Sequence, residues 1–342
     1  MAEFAVNKLS KNRMPKVVVI GGGTGVSVLL NKLKTFDLDI TAIIAVADDG
    51  GSSGKLRQIT QSIPPGDIRN VICSLSTWPD KYIDILQYRF KEGNDILSGH
   101  PIGNLLISGL AEMEGNYTAA IEILSEMMDI QGRVLPSSEV PLTLCANFSD
   151  GTEIEGESII TSQGKNIERV HIKATNQNDV VTPGPGVCEA IADADVIVFG
   201  PGSLFTSILP NLLIEEVGQA VLKSEARKIY ICNIMTQKGE TESFTDADHV
   251  RALHEHLGQK FIDTVFVNNE KIPEEYVNLP SQDENLLQVK HDFKGLLEQV
   301  PSVISDRFLK LNEKGIYHDG EKIGKEINNY AFSHQRGIRM NF

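Results

Sequence analysis

The sequence is poor in cysteine, tryptophan and positive charge, and it contains no long apolar run. Its 4 cysteines, Cys73, Cys145, Cys188 and Cys232, lie far apart and form no Cys-x-x-Cys pair. Neither a zinc knuckle nor a disulfide framework is therefore indicated, and buried thiols are expected. A single tryptophan and 6% aromatic content leave little to stack against a large flat ligand. With 32 Lys and Arg against 46 Asp and Glu, the formal net charge is −14. The chain as a whole thus has no electrostatic drive toward nucleic acid, and any phosphate site must be a local exception. No stretch approaches the length of a membrane span and the first residues lack an apolar signal core, so a cytoplasmic protein is expected.

What is present is a globular composition, 41% hydrophobic over 342 residues, enough for one large α/β core or two modest ones. Near the start stands KVVVIGGGTGVSVLLNKLK, Lys16 to Lys34. Val17 to Ile20 read as a buried parallel strand, and Val26, Leu29, Leu30 and Leu33 follow at helical spacing. Gly21, Gly22, Gly23 and Gly25 therefore occupy a strand-to-helix turn. Without Cβ atoms their N–H groups can close on a phosphate at the helix N-terminus, with the hydroxyls of Thr24 and Ser27 as further donors. The alternative is a tight turn that needs glycine for packing. Neither standard fingerprint fits. Val26 and Val28 stand where GxGxxG wants glycine, and Gly25-Val26-Ser27 replaces the Gly-Lys-Ser/Thr ending of a P-loop.

The next predicted strand, Ile40 to Ala47, ends in Asp48-Asp49, near where a dinucleotide fold places its ribose-binding acid. Successive side chains leaving a strand face opposite ways. One acid is therefore expected to enter a crevice as base, ribose acceptor or Mg²⁺ ligand, unless both are solvated beside helix-capping Ser52 and Ser53. Pro65 to Asn70 adds Asp67, Arg69 and Asn70, with Arg69 free either to fork onto a phosphate or to pair with Asp67. His100, Gly103 and Asn104 open a predicted helix at Ile102, where the histidine either caps and packs or hydrogen-bonds an anion. A second glycine turn carries Gly200, Gly202, Ser203 and Thr206. A following loop carries Asn233, Thr236, Gln237, Glu240 and Thr241. No Ser-His-Asp order and no HExxH motif appears, so the chain offers binding groups without an evident nucleophile.

The pattern of elements predicts a three-layer, Rossmann-like α/β fold on a mostly parallel sheet with a small antiparallel β insertion. Residues 1–15 are expected to be an N-terminal tail, 16–330 one domain with the insertion at about 134–180, and 331–342 a C-terminal tail. Helices are expected over Tyr82 to Phe90, Ile102 to Glu114, Tyr117 to Met128, Val187 to Ala192 and Ala247 to Leu257. Strands are expected at Val196 to Phe199, Lys228 to Cys232 and Phe261 to Val267. In the insertion, PLTLCANF and EIEGESII read as strands flanking a turn at Asp150-Gly151. It shows no chemical cluster, so an architectural or dimer-contact role is expected for it.

GGGTG at 21–25, DDGGSSG at 48–54, PPGDIRN at 64–70, HPIGNLL at 100–106, GPGSLFTSILPNLL at 200–213 and NIMTQKGET at 233–241 together resemble the YvcK-type gluconeogenesis-factor family of the CofD-like superfamily. The resemblance runs in order from Lys16 to near Asn269. It implies a UDP-sugar-binding regulatory protein that links carbon metabolism to cell-envelope precursor supply and cell shape. It also implies a regulated enzyme of amino-sugar synthesis as partner, and a homo-oligomer is expected. The superfamily's other branch contains 2-phospho-L-lactate transferases, which move a lactyl-phosphate group from a nucleotide diphosphate donor to a deazaflavin. Carried over, Gly21 to Gly25 and the GPGS turn would hold phosphates, and Asp48 or Asp49 would stand near acceptor and Mg²⁺. Tyr317-His318-Asp319 replaces an Arg-His-Asp-like segment and leaves that contact without its cation. No cofactor is fixed by the sequence. A UDP-sugar is the expected ligand, with NAD and Mg²⁺ as further candidates.

Overall fold

The computed structural model describes residues 13–60, 62–91, 93, 96–277, 285–312 and 315–335. Seven strands form a wholly parallel central sheet: Lys16–Gly21, Asp39–Ile44, Arg133–Pro136, Val196–Phe199, Arg227–Ile231, Thr264–Asn268 and Ser302–Asp306. Numbered along the chain within this sheet, they lie in the order 7-6-5-4-1-2-3. This is the doubly wound order, and the chain reverses its direction of travel between the first and fourth strands. Val17, Val19, Ile20, Ile197, Val198 and Phe199 are completely buried, as expected of strands covered on both faces.

Helices cover both faces of the sheet. Gly23–Leu33 buries Val26, Leu29, Leu30 and Leu33 and packs between Gly66–Leu75 and Gly320–Gln335. A second group, Val187–Ala192, Leu209–Leu212 and Glu215–Lys223, packs together. Helix ends follow the sequence chemistry. Thr245 and Asp248 form a reciprocal capping box at Asp246–Leu257, which closes on left-handed Gly258. The helix Gly320–Gln335 runs through the boundary expected at 330, with Ala331 buried in the core; residues 336–342 and 1–12 lie outside the described set.

Smaller antiparallel pieces attach to this body. Leu142–Phe148 is the middle strand of a three-stranded sheet, between Glu153–Glu155 and Ile167–Ala174. The insertion differs from expectation in two ways. Arg133–Pro136 belongs to the central sheet, so the antiparallel part begins later. The stretch EIEGESII is not one strand: after Glu155 the chain turns at Gly156, φ +94°, and Glu157–Ser162 is helical. Two further pairs, Met235–Gln237 with Asn285–Gln288 and Leu309–Asn312 with Gly315–His318, complete the described sheets. Among the described residues no helix is long and apolar enough to cross a membrane.

Candidate functional site

The first and fourth central strands lie side by side, and each ends in a glycine turn. Gly22 is extended, and Gly23, at φ +72°, starts the helix. A Cβ on Gly25 would lie 2.5 Å from the Pro201 carbonyl oxygen, and one on Gly202 would lie 3.1 Å from that of Gly22. The two turns press on each other backbone to backbone, which only glycine permits at Gly25. Beside them opens a cavity of about 800 Å³, at the point where the strand order reverses. Ligands of open α/β sheets sit at such a point.

Of the residues singled out in the sequence, Gly22, Gly23, Thr24, Gly25, Asp48, Gly202, Ser203, Thr206, Asn233, Gln237 and Glu240 line this cavity. Ser203 caps the single wide π-turn Leu204–Ile208 by accepting from the Thr206 N–H at 3.0 Å, and its own hydroxyl donates to Glu240. Asn233 Nδ2 donates to the Gly202 carbonyl at 2.9 Å and to Gln237 Oε1 at 3.2 Å, tying the end of the fifth strand to the GPGS turn. Gly200, φ +79°, shapes the same turn.

The cavity is acidic. Asp48 accepts from the Gly50 N–H at 2.8 Å, and burial pushes its carboxyl above the ordinary range despite that bond and one from Ser53. Asp67 sits just behind the turn: its Oδ2 accepts from the Gly23 N–H at 2.6 Å, so an internal carboxylate already occupies the glycine helix's N-terminus. Burial first, and the charge of Asp48 second, push Asp67 up to about 6. Glu157 is raised well above the ordinary glutamate value by burial and then by Asp48, Glu240, Asp67 and Asp49. Among the described residues lining the cavity, Lys238 is the one Lys or Arg. His318, which the resemblance left without its cationic neighbour, does line the wall. It donates from Nε2 to the Cys232 carbonyl at 3.0 Å, and burial pushes it down to about 4, so it is neutral near pH 7. The local exception to the chain's negative charge is therefore a set of backbone N–H groups and hydroxyls, not a cluster of cations.

The remaining sequence candidates lie outside the cavity. Asp67, Arg69 and Asn70 stand in the helix Gly66–Leu75 and not on a loop. Arg69 neither pairs with Asp67 nor reaches the cavity: it donates to Asn104 Oδ1 at 2.6 Å and Asn70 Oδ1 at 2.7 Å. Asn104 donates onward to Ser52 Oγ at 3.0 Å, which meets His100 Nδ1 at 2.8 Å. A Cβ on Gly103 would strike the Arg69 side chain at 2.7 Å. Three motifs distant in sequence thus converge on a buried polar chain that fixes the helices behind the acid loop. Thr241 Oγ1 accepts from the Gln237 N–H, and Thr236 Oγ1 accepts from the Leu287 N–H, so both brace their loop.

Sequence reasoning missed two contributors, the insertion and Arg57. The insertion, expected to be architectural, supplies Glu157, Ser158, Thr161 and Ser162 to the cavity wall. Asp49 Oδ1 holds that wall by accepting from the Ser158 N–H and hydroxyl. Arg57, buried, donates to the Ala47 and Asp48 carbonyls and to Leu142, Thr143 and Thr175 of the insertion. Tyr317 also faces the cavity.

A family model described as 2-phospho-L-lactate transferase CofD matches residues 17–309. The chain belongs to the CofD family. Within it, the chain is 46% identical over 319 residues to a Listeria monocytogenes protein named gluconeogenesis factor, covering 93% of this chain and 96% of that one. A Lactococcus lactis relative, provisionally given the same name, is 51% identical over 313 residues, covering 92% and 96% of the two chains. The crystal structure of a Bacillus halodurans protein superposes with a TM-score of 0.87 at 42% identity, covering 92% of this chain and 99% of that one. A second structure of a B. halodurans protein, described as a member of the UPF0052 family, gives a TM-score of 0.86 at 42% identity over the same shares. The CofD-family match spans both glycine turns, the acid loop and the insertion, so most of the cavity wall lies within it, while Ile316, Tyr317 and His318 lie beyond its end.

Proposed function

We propose that this CofD-family chain is a regulatory protein of the gluconeogenesis-factor type that binds a UDP-sugar in the cavity between its two glycine turns. The observation that carries the reading is the meeting of those turns at the strand-order reversal, over a cavity of about 800 Å³. That volume lies within the usual range for small-molecule sites. Its hydroxyls, on Thr24, Ser158, Thr161, Ser162, Ser207 and others, match a ligand rich in sugar oxygens. The names of the relatives support the link to carbon metabolism, and cell-envelope precursor supply and cell shape are the processes such a ligand would report on.

A diphosphate entering beside Asp48, Glu157 and Glu240 meets like charge. It would therefore arrive with a divalent cation, for which the hard carboxylate oxygen of Asp48 is a suitable donor. The same convergence of carboxyls favours a second reading, phospho-group transfer from a nucleotide diphosphate, with Asp48, the one of the two adjacent acids that lines the cavity, near the acceptor. Calorimetry on the intact protein with UDP-N-acetylglucosamine, UDP-glucose, GDP and NAD, each with and without Mg²⁺, separates the readings. Mg²⁺-assisted UDP-sugar binding without turnover is expected. Lactyl-phosphate transfer to a deazaflavin would establish the second reading, and tight NAD binding without UDP-sugar heat would overturn both.

A further inference from the structure

On the insertion sheet, Leu142, Leu144, Ala146 and Phe148 point inward and are buried, so Thr143, Cys145 and Asn147 alternate onto the opposite face. Cys145 is the centre of that face: its register partners are Glu155 on one neighbouring strand and His171 on the other. The Cys145 Sγ, a Glu153 carboxylate oxygen and a His171 ring nitrogen all lie within 4.8 Å of one another. His171 Nε2 stands 3.6 Å from Glu153 Oε1, while Asn147 Nδ2 holds the other carboxylate oxygen at 3.3 Å. Lys173, the neighbouring cation, is engaged by Glu155 at 2.6 Å.

We propose that Cys145, Glu153 and His171 form a site for a borderline-soft divalent transition ion of the zinc class, separate from the cavity. The donor set suits such an ion: one sulfur, one imidazole nitrogen and one carboxylate oxygen are its usual ligands, with a fourth position open to water. Tetrahedral bonds of the usual lengths place ligand atoms about 3.4–3.6 Å apart, so closure asks for a shift of about 1 Å. Glu153 and His171 can supply it, being 51% and 46% exposed, while the sheet backbone fixes Cys145. On binding, the sulfur–hydrogen bond breaks, its proton leaves to solvent and a sulfur–metal bond forms. His171 contributes the Nε2 lone pair of its neutral ring. The thiolate, Glu153 and Glu155, offset by Lys173, then carry a net −2 that balances the ion.

The site has a structural consequence. Glu153 begins the strand that runs through Gly156 into the helix Glu157–Ser162, so the ion would staple the strand that delivers the cavity wall. The sequence concealed it, because its ligands come from three strands and share no motif spacing.

The test is a Co²⁺ titration of the full chain, read by the thiolate-to-cobalt absorption band, with competition by Zn²⁺. One Co²⁺ per chain is expected, displaced by Zn²⁺, with the band abolished in Cys145→Ser and affinity at least tenfold weaker in His171→Ala and Glu153→Gln. Cys188→Ser, which removes the one partly exposed thiol among the described cysteines, should leave the band unchanged. Zn²⁺ should raise the melting temperature of the wild type but not of His171→Ala, whose exposed side chain can be removed without touching the core. Absence of a band at stoichiometric Co²⁺, a band that survives Cys145→Ser or disappears in Cys188→Ser, or equal affinity in His171→Ala overturns the proposal.

Discussion

Asp49 and Ser158, 109 residues apart, are joined twice: one carboxylate oxygen accepts from the Ser158 N–H at 2.9 Å and from its hydroxyl at 2.6 Å. Its neighbour Asp48 instead lines the cavity, so the two acids divide between cavity and insertion. Asp48→Asn should change ligand affinity directly, by about one to two decades, as expected for a charged hydrogen-bonding or metal-ligating group. Asp49→Ala should act through the wall, raising amide exchange across Glu157 to Ser162 and weakening ligand binding less. Equal exchange in the two variants would remove Asp49 from its role as an anchor.

The glycine turns yield a graded prediction. Gly25→Ala forces a methyl to 2.5 Å from a backbone oxygen that cannot swing away, so it should cost about 1–3 kcal/mol in urea denaturation. Gly202→Ala meets its nearest backbone atom at 3.1 Å and should cost less, while still reducing ligand affinity by narrowing the approach to the turn. A larger stability loss at Gly202 than at Gly25 would mean that the contact between the turns is misassigned.

The parts of this molecule set by local chemistry were legible. Val17 to Ile20, the glycines after them and the helical spacing of Val26 to Leu33 specify a strand, turn and helix without help from elsewhere, and they reappear in place. Glu157 was not legible, since Ile159 and Ile160 are β-branched and favour a strand reading. What makes that segment a helix is the turn at Gly156 and the Asp49 anchor, a tertiary contact. The sequence singles out Arg69 and His100 as candidate phosphate or anion contacts, and the structure places them in a buried polar chain outside the cavity. Their partners are one another's neighbours across three motifs, and sequence alone cannot tell a buried brace from a ligand contact.

Stability should carry opposing pH signatures from Asp67 and His318. Asp67 rises on folding, from an ordinary carboxylate value to about 6, so the native state holds the extra proton between about pH 4 and 6 and stability falls as pH rises through that window. The loss is about 2–3 kcal/mol, complete above pH 6. Asp67→Asn keeps an acceptor for the Gly23 N–H and should therefore be more stable than wild type at pH 7 but not at pH 4. His318 falls to about 4, so its contribution is present above the unfolded value of about 6.5 and is lost as pH drops toward 4. His318→Gln should flatten that acid-side loss. Urea melts of the wild type and both variants at pH 4.5, 5.5 and 7 check the signs, and parallel curves for all three would refute both assignments.

Arg57 offers the sharpest separation of charge from shape. Its guanidinium joins the carbonyls of Ala47 and Asp48, at the end of the second central strand, to the Leu142 carbonyl and two threonine hydroxyls on the insertion. Burial lowers its pKa from the ordinary arginine value, yet that value is high enough for the side chain to stay protonated. Charge alone does not account for the arrangement, because these acceptors diverge and only a planar fork with several N–H groups reaches them together. Arg57→Lys should therefore behave much like Arg57→Met, each losing about 2–4 kcal/mol as several buried acceptors are left unmet. Both should also loosen the wall that carries Glu157, so ligand affinity should fall although Arg57 is not among the residues lining the cavity. Full retention of stability and affinity by Arg57→Lys would show that a positive charge suffices there, and the insertion would then be held mainly by Asp49.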